Sequence, residues 1–97
     1  MNTYITLMKL TDQGIKTVKD APKRAEAGIN AFEKMGAKVI GFYAVIGEYD
    51  YVSISEAPND EVATAFSLAL GSLGNVRTTG LRAFTLKEFT EIVKKVP

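Results

Sequence analysis

The sequence contains no cysteine and no histidine. Without cysteine there are no disulfides, thiolate metal sites or thiol nucleophiles. Without histidine the chain lacks the usual general base near neutral pH, the commonest metal ligand and the common haem ligand. An excess of one charge is missing too: 12 Lys and Arg stand against 11 Asp and Glu, for a net charge of +1. That balance argues against a protein built mainly to hold nucleic acid or an anionic membrane. No uncharged apolar run approaches the ~20 residues that a bilayer-spanning helix needs. The start, Met1-Asn2-Thr3-Tyr4, has no basic stretch leading into an apolar one, so a cytoplasmic protein is expected. What remains is 97 residues, 46% hydrophobic and 24% charged. That is the composition of a folded chain, with room for a single domain over residues 1–97.

Short strand-like runs alternate with helical ones. Tyr4 to Leu10 reads as a strand, with Ile5 and Leu7 on one face and Tyr4, Thr6 and Met8 on the other. Thr11 to Asp20 is polar and contains Gly14, which suits a turn or a short helix. Asp20 is placed to cap a helix with Pro22 in its first turn, Ala25, Ile29, Phe32 and Met35 as its stripe, and Gly36 as its stop. Lys38 to Ile46 is a second strand, apolar on both faces. Gly47-Glu48-Tyr49-Asp50 turns the chain back into a third strand, Tyr51 to Ala57. Here Val52 and Ile54 share one face, and Tyr51, Ser53 and Ser55 the other. Asn59 caps a second helix with the stripe Val62, Phe66, Ala69, Leu70 and Leu73, ended by Gly74. Val76 to Phe84 is the fourth strand. Thr85 and Glu88 have capping-box spacing for a last helix, with Phe84 and Phe89 placed as a staple and Ile92, Val93 and Val96 extending its stripe.

The order β-α-β-β-α-β-α is the ferredoxin-like plan, α+β in class. It predicts an antiparallel four-stranded sheet with strands 1 and 3 central and both crossover helices on one face. Ile5, Leu7, Val52 and Ile54 are expected to meet those helices. Tyr4, Thr6, Met8, Tyr51, Ser53, Ser55 and one apolar set from strand 2 then lie on the open face. A chain this small has a marginal core. The open face is therefore expected to pair with a second copy, as a homodimer or higher oligomer, enclosing a partly polar cavity between the sheets.

Several separate motifs resemble one family. They are Gly47-Glu48-Tyr49-Asp50, Glu56-Ala57-Pro58-Asn59-Asp60, and Ala69-Leu70-Gly71-Ser72-Leu73-Gly74-Asn75-Val76-Arg77-Thr78. The opening Thr11-Asp12-Gln13-Gly14-Ile15, the run Lys19-Asp20-Ala21-Pro22-Lys23-Arg24 and the close Leu81-Arg82-Ala83-Phe84-Thr85 belong with them. Together they resemble the GYD-domain family over essentially the whole chain. The resemblance implies a bacterial or archaeal cytoplasmic protein related to the dimeric α+β barrels. It supplies no reaction, and relatives in that wider superfamily, cofactor-free oxygenases and haem enzymes among them, are an analogy of fold alone.

Chemistry-bearing residues are few. Glu48 and Asp50 point to the same side of an extended segment and would suit an acid/base pair or a weak Mg²⁺ or Ca²⁺ site, with Tyr49 between them as a proton donor. Two carboxylates are too few ligands for a cation, and a hairpin turn with one backbone-bonding Asp accounts for both. Asp50 is expected to accept from backbone N–H groups in or beside the Gly47 turn. Tyr4, Thr6, Tyr51 and Ser53 are the polar groups expected around a small-molecule ligand, and one of Arg77 and Arg82, which point to opposite faces, would reach into that cavity. Gly71 to Asn75 looks like a phosphate loop but ends a helix, where the dipole is negative. No metal and no cofactor are expected.

Charge is uneven: Lys9 to Lys38 carries seven positive and four negative residues, Glu48 to Glu61 five negative and none positive. Two functions stand beside an oligomeric barrel with a small cavity, whose catalysis the sequence leaves undecided. One is a cofactor-independent enzyme acting on a small organic substrate in the barrel. The other is an RNA-binding module, whose element order and aromatic spacing Tyr49 and Tyr51 echo. The acidic residues around those aromatics would repel phosphate, so no nucleic-acid partner is expected.

Overall fold

The computed structural model describes every residue from Met1 to Pro97. β1 (Asn2–Leu10) leads into α1 (Asp12–Lys16), capped by Thr11, whose hydroxyl accepts from the Gly14 N–H at 3.1 Å. A 3-10 turn, Val18–Asp20, runs directly into α2 (Ala21–Lys34). Asp20 makes no side-chain cap there. Its backbone is already helical, at φ −91 and ψ −4, whereas a capping side chain needs an extended residue. β2 (Lys38–Ala44) ends two residues before Ile46, which stands wholly exposed in the turn. β3 (Tyr51–Ala57) completes the hairpin, and the Val45 N–H donates to the Asp50 carbonyl at 2.9 Å across its mouth.

α3 (Asp60–Ser72) begins at Asn59, whose side-chain oxygen accepts from the Val62 N–H at 2.9 Å. β4 (Val76–Ala83) follows, then α4 (Leu86–Val93) with the expected capping box. The Thr85 hydroxyl accepts from the Glu88 N–H at 3.1 Å, and the Glu88 carboxylate accepts from the Thr85 N–H at 2.9 Å. That backbone donor holds the Glu88 carboxyl below its usual range. Its contribution to α4 is therefore present above the ordinary carboxylate pKa and lost as pH falls through the lowered one.

The sheet runs β2-β3-β1-β4, antiparallel throughout, with β1 and β3 central as expected. Its two faces are the reverse of the sequence expectation. Tyr4 and Ala57 are buried with Phe32 and Ala37, and Val62, Ala63 and Phe66 of α3 pack on them. Register carries Thr6, Met8, Tyr51, Ser53 and Ser55 to the same helix-covered side. Which face the helices cover follows from the hand of the crossover and the pleat phase at which β1 ends, not from which face is more apolar.

The open face is consequently aliphatic. Ile5 pairs with Ile54 on one side and Leu81 on the other, and Val52 lies between Leu7 and Tyr43. Tyr43 and Leu81 are 57% and 45% exposed, and the four aliphatic residues between them are half-buried. α4 keeps its whole apolar stripe exposed, with Leu86, Phe89, Ile92 and Val93 all open to solvent. The molecule measures 50 × 30 × 19 Å.

Candidate functional site

The helix-covered side is not filled. α2 presents Ala21, Ala25 and Gly28 towards the sheet, and α3 presents Ala69. Side chains this short hold a helix off a sheet without filling the gap. A cavity of about 530 Å³ results, with Met8, Leu10, Ile29, Phe42 and Val76 among its walls. Gly28 has no conformational reason to be glycine, since its φ is not positive. A Cβ there would sit 3.8 Å from Leu70 and 4.0 Å from Phe66, ordinary contact distances. Glycine inside a helix costs about 1 kcal/mol against alanine.

A second cavity of about 440 Å³ adjoins the first, sharing Met8, Phe32, Ser53, Phe66 and Leu70 as walls. The Phe32 and Phe66 rings stack there, 4.3 Å apart and 9° from parallel. This second space is hydroxyl-lined, by Thr6, Ser53, Ser55, Thr64, Ser67 and Thr78. At its end the Tyr4 hydroxyl donates to the Asp60 carboxylate at 2.5 Å, and Asn2 donates to the Tyr4 oxygen at 3.3 Å. Arg82 lies 4.0 Å from the same carboxylate and sits over the rings of Tyr4 and Phe84. Burial, and then the Asp60 carboxylate, raise the Tyr4 phenol above its ordinary value. Tyr4 is thus held protonated as a donor, and its stabilising bond is lost only as pH rises through that raised pKa.

Tyr4, Thr6, Tyr51 and Ser53 therefore line spaces beneath the helices, not a chamber between paired sheets. Of Arg77 and Arg82, it is Arg82 that reaches a cavity. Arg77 is exposed on β4, its guanidinium 3.1 Å from where a Cβ on Gly71 would lie. Asp60 and Asn2 are not legible as site residues in the sequence. Asp60 reads locally as a first-turn helix carboxylate, and only the fold brings it to Tyr4.

The hairpin residues do not join either cavity. Glu48 is exposed and reaches Lys9 at 3.5 Å, and the Lys9 ammonium stands 5.3 Å from the centre of the Tyr49 ring. Glu48 and Asp50 belong to no group of three or more potential metal ligands. Tyr51 faces the helices and Tyr49 lies in the turn, so the pair forms no stacking platform on the open sheet face.

Asp50 ties the hairpin to the end of β1. Its carboxylate accepts from the Leu10 N–H at 2.8 Å, and its own N–H donates to the Met8 carbonyl at 2.9 Å. The donor is thus across the sheet and not in the Gly47 turn. Asp50→Ala leaves the Leu10 N–H without its partner and is expected to cost about 1.5–3 kcal/mol. Asp50→Asn keeps an acceptor and should cost less than half of that. Thermal melts of both variants check the order, and a rise in melting temperature for Asp50→Asn would contradict it.

Comparison with known proteins gives two findings. A family profile described as GYD domain matches residues 4–93. The chain is also similar to a Thermus thermophilus protein named glutamine synthetase and cystathionine beta-lyase binding protein. The two are 34% identical over 95 residues, covering 97% of this chain and 100% of that one.

Proposed function

The chain belongs to the GYD domain family, and on that premise we propose that it is a homo-oligomeric, cytoplasmic binding protein whose partners are metabolic enzymes. The observation that supports this most is the aliphatic open sheet face of Ile5, Leu7, Val52, Ile54 and Leu81. A contiguous apolar surface on a small chain is a contact surface. Two copies laid sheet to sheet remove it from water and add the apolar burial that a core of this size lacks.

A second apolar surface remains. α4 offers Leu86, Phe89, Ile92 and Val93 on an amphipathic helix, the form that docks into an apolar groove of another protein. The sheet face is assigned to assembly and α4 to the enzyme partner. The relative, matched over its whole length, is named for binding glutamine synthetase and cystathionine beta-lyase. Those two enzymes are the first partners to test.

The experiment is a titration of each enzyme with the wild-type protein and with Phe89→Glu. Saturable binding to at least one enzyme is expected, weakened at least tenfold in Phe89→Glu, with the mass of the free oligomer unchanged. Wild-type protein that binds neither enzyme at about 100 μM, where even a weak specific interface registers, would contradict the enzyme-binding reading. Disassembly of Phe89→Glu would contradict the division of labour between the two surfaces.

A further inference from the structure

We infer that the space between α2, α3 and the sheet is a binding site for a small, uncharged, mainly apolar molecule carrying one hydrogen-bonding edge. The inference stands apart from the enzyme-binding reading and uses different surfaces. The space is a cleft half open to solvent and not a sealed packing void. Its volume of about 530 Å³ lies in the range of ligand pockets, and sixteen of its twenty-one lining residues are hydrophobic.

Gly28 argues that the room is kept rather than left over. Alanine would fit at this position in ordinary contact and would make a better helix. No turn, positive φ or backbone approach asks for glycine there. What glycine supplies is room at the cavity wall, against Leu70 and Phe66 of α3.

The lining gives the ligand its chemistry. The Phe32 and Phe66 pair, with Phe42 and Tyr51 at 5.2 Å from each other, offers ring faces for a flat apolar body. Ser53 stands where the two cavities meet, and beyond it Ser55, only 2% exposed, continues the hydroxyl row that would meet a polar edge. Charge is disfavoured, because both arginines at the walls are already hydrogen-bonded to groups of the fold. Arg24 donates to the Thr17 carbonyl at 3.0 Å, the Thr17 hydroxyl at 2.9 Å and the Gly14 carbonyl at 3.1 Å. Arg82 faces the Asp60 carboxylate and donates to the Thr3 carbonyl. An ionised ligand loses its water on entering an apolar site, and to be paired there it would have to draw Arg24 or Arg82 away from these bonds.

The test uses 1-naphthol as the neutral probe and 1-naphthoate as the same ring carrying a charge at pH 7, followed by calorimetry on the full chain. One naphthol per chain is expected, with naphthoate bound at least tenfold more weakly. Gly28→Leu, which places its side chain in the cavity, should weaken naphthol at least tenfold while the oligomer and its melt persist. Where the leucine variant does not fold, Gly28→Ala replaces it. That variant should melt above wild type and bind naphthol at least threefold more weakly. Naphthoate binding as tightly as naphthol would overturn the uncharged-ligand assignment. Naphthol binding that ignores Gly28 substitution, or no naphthol binding up to its solubility limit, would overturn the site itself. Neither failure touches the titration of the enzymes.

Discussion

Ile54→Asp is expected to turn the assembled protein into a folded monomer. Ile54 lies on β3, one of the two central strands, opposite Ile5 of the other and on the face that no helix covers. In the proposed sheet-to-sheet assembly its side chain would sit at the middle of an apolar contact. Removing a central apolar anchor from such a contact costs about 2–4 kcal/mol. Installing a carboxylate that must be desolvated without a partner raises that to about 5 kcal/mol. The dissociation constant should therefore rise by roughly three orders of magnitude or more. The fold of each copy should persist, because Ile54 does not belong to the buried cluster of Tyr4, Phe32, Ala37 and Ala57. Sedimentation velocity with circular dichroism on the same sample separates the outcomes. A variant that remains fully assembled would place the interface elsewhere.

Gly14→Ala is expected to be the most damaging small substitution in the chain. A Cβ on Gly14 would lie 2.1 Å from the Asn75 carbonyl oxygen and 2.9 Å from its carbon. That carbonyl cannot simply swing away, because it accepts from the Thr11 N–H at 3.0 Å. The Thr11 hydroxyl is tied to the adjacent Gly74 carbonyl at 2.5 Å, and Gln13 donates to the Leu73 carbonyl at 3.0 Å. The added methyl has to part α1 from the turn between α3 and β4, breaking several of these bonds together. A loss of about 3 kcal/mol or more follows, against a total stability of about 5–15 kcal/mol for a domain of ordinary size. The melting temperature should fall by about 12–24 °C. A loss below about 1 kcal/mol would mean that the turn yields easily and that this junction is not a rigid point.

These residues also show what the sequence can and cannot disclose. Asn59 and the Thr85–Glu88 pair act within one helical turn, so local spacing is enough to place their helices. The strand order follows from the order of elements and the hand of the crossovers. The face assignment fails because β1 and β3 carry apolar residues in both phases of the pleat. Hydrophobicity alone does not say whether Tyr4 and Met8 or Ile5 and Leu7 meet the helices. Asp20 has the residue type of a cap, but the preceding 3-10 turn fixes its backbone as helical.

The candidate site is harder still. Tyr51 and Ser53 read as ligand-facing, but on the wrong side of the sheet. Asp60 and Asn2 reach Tyr4 only through the fold. Gly14 needs the Asn75 carbonyl, and Gly28 needs Phe66 and Leu70, before either glycine has a meaning beyond a gap in a pattern. A cavity is a volume left after packing, and no spacing rule encodes it.

Assembly through the open sheet face is the claim on which the rest of the functional reading leans. Light scattering coupled to size exclusion, on the wild-type chain at micromolar concentration, measures it without any variant. The expected mass is a whole multiple of 10.5 kDa, at least twice that value, and it should hold on dilution through the low-micromolar range. A stable species of 10.5 kDa under the same conditions would contradict it.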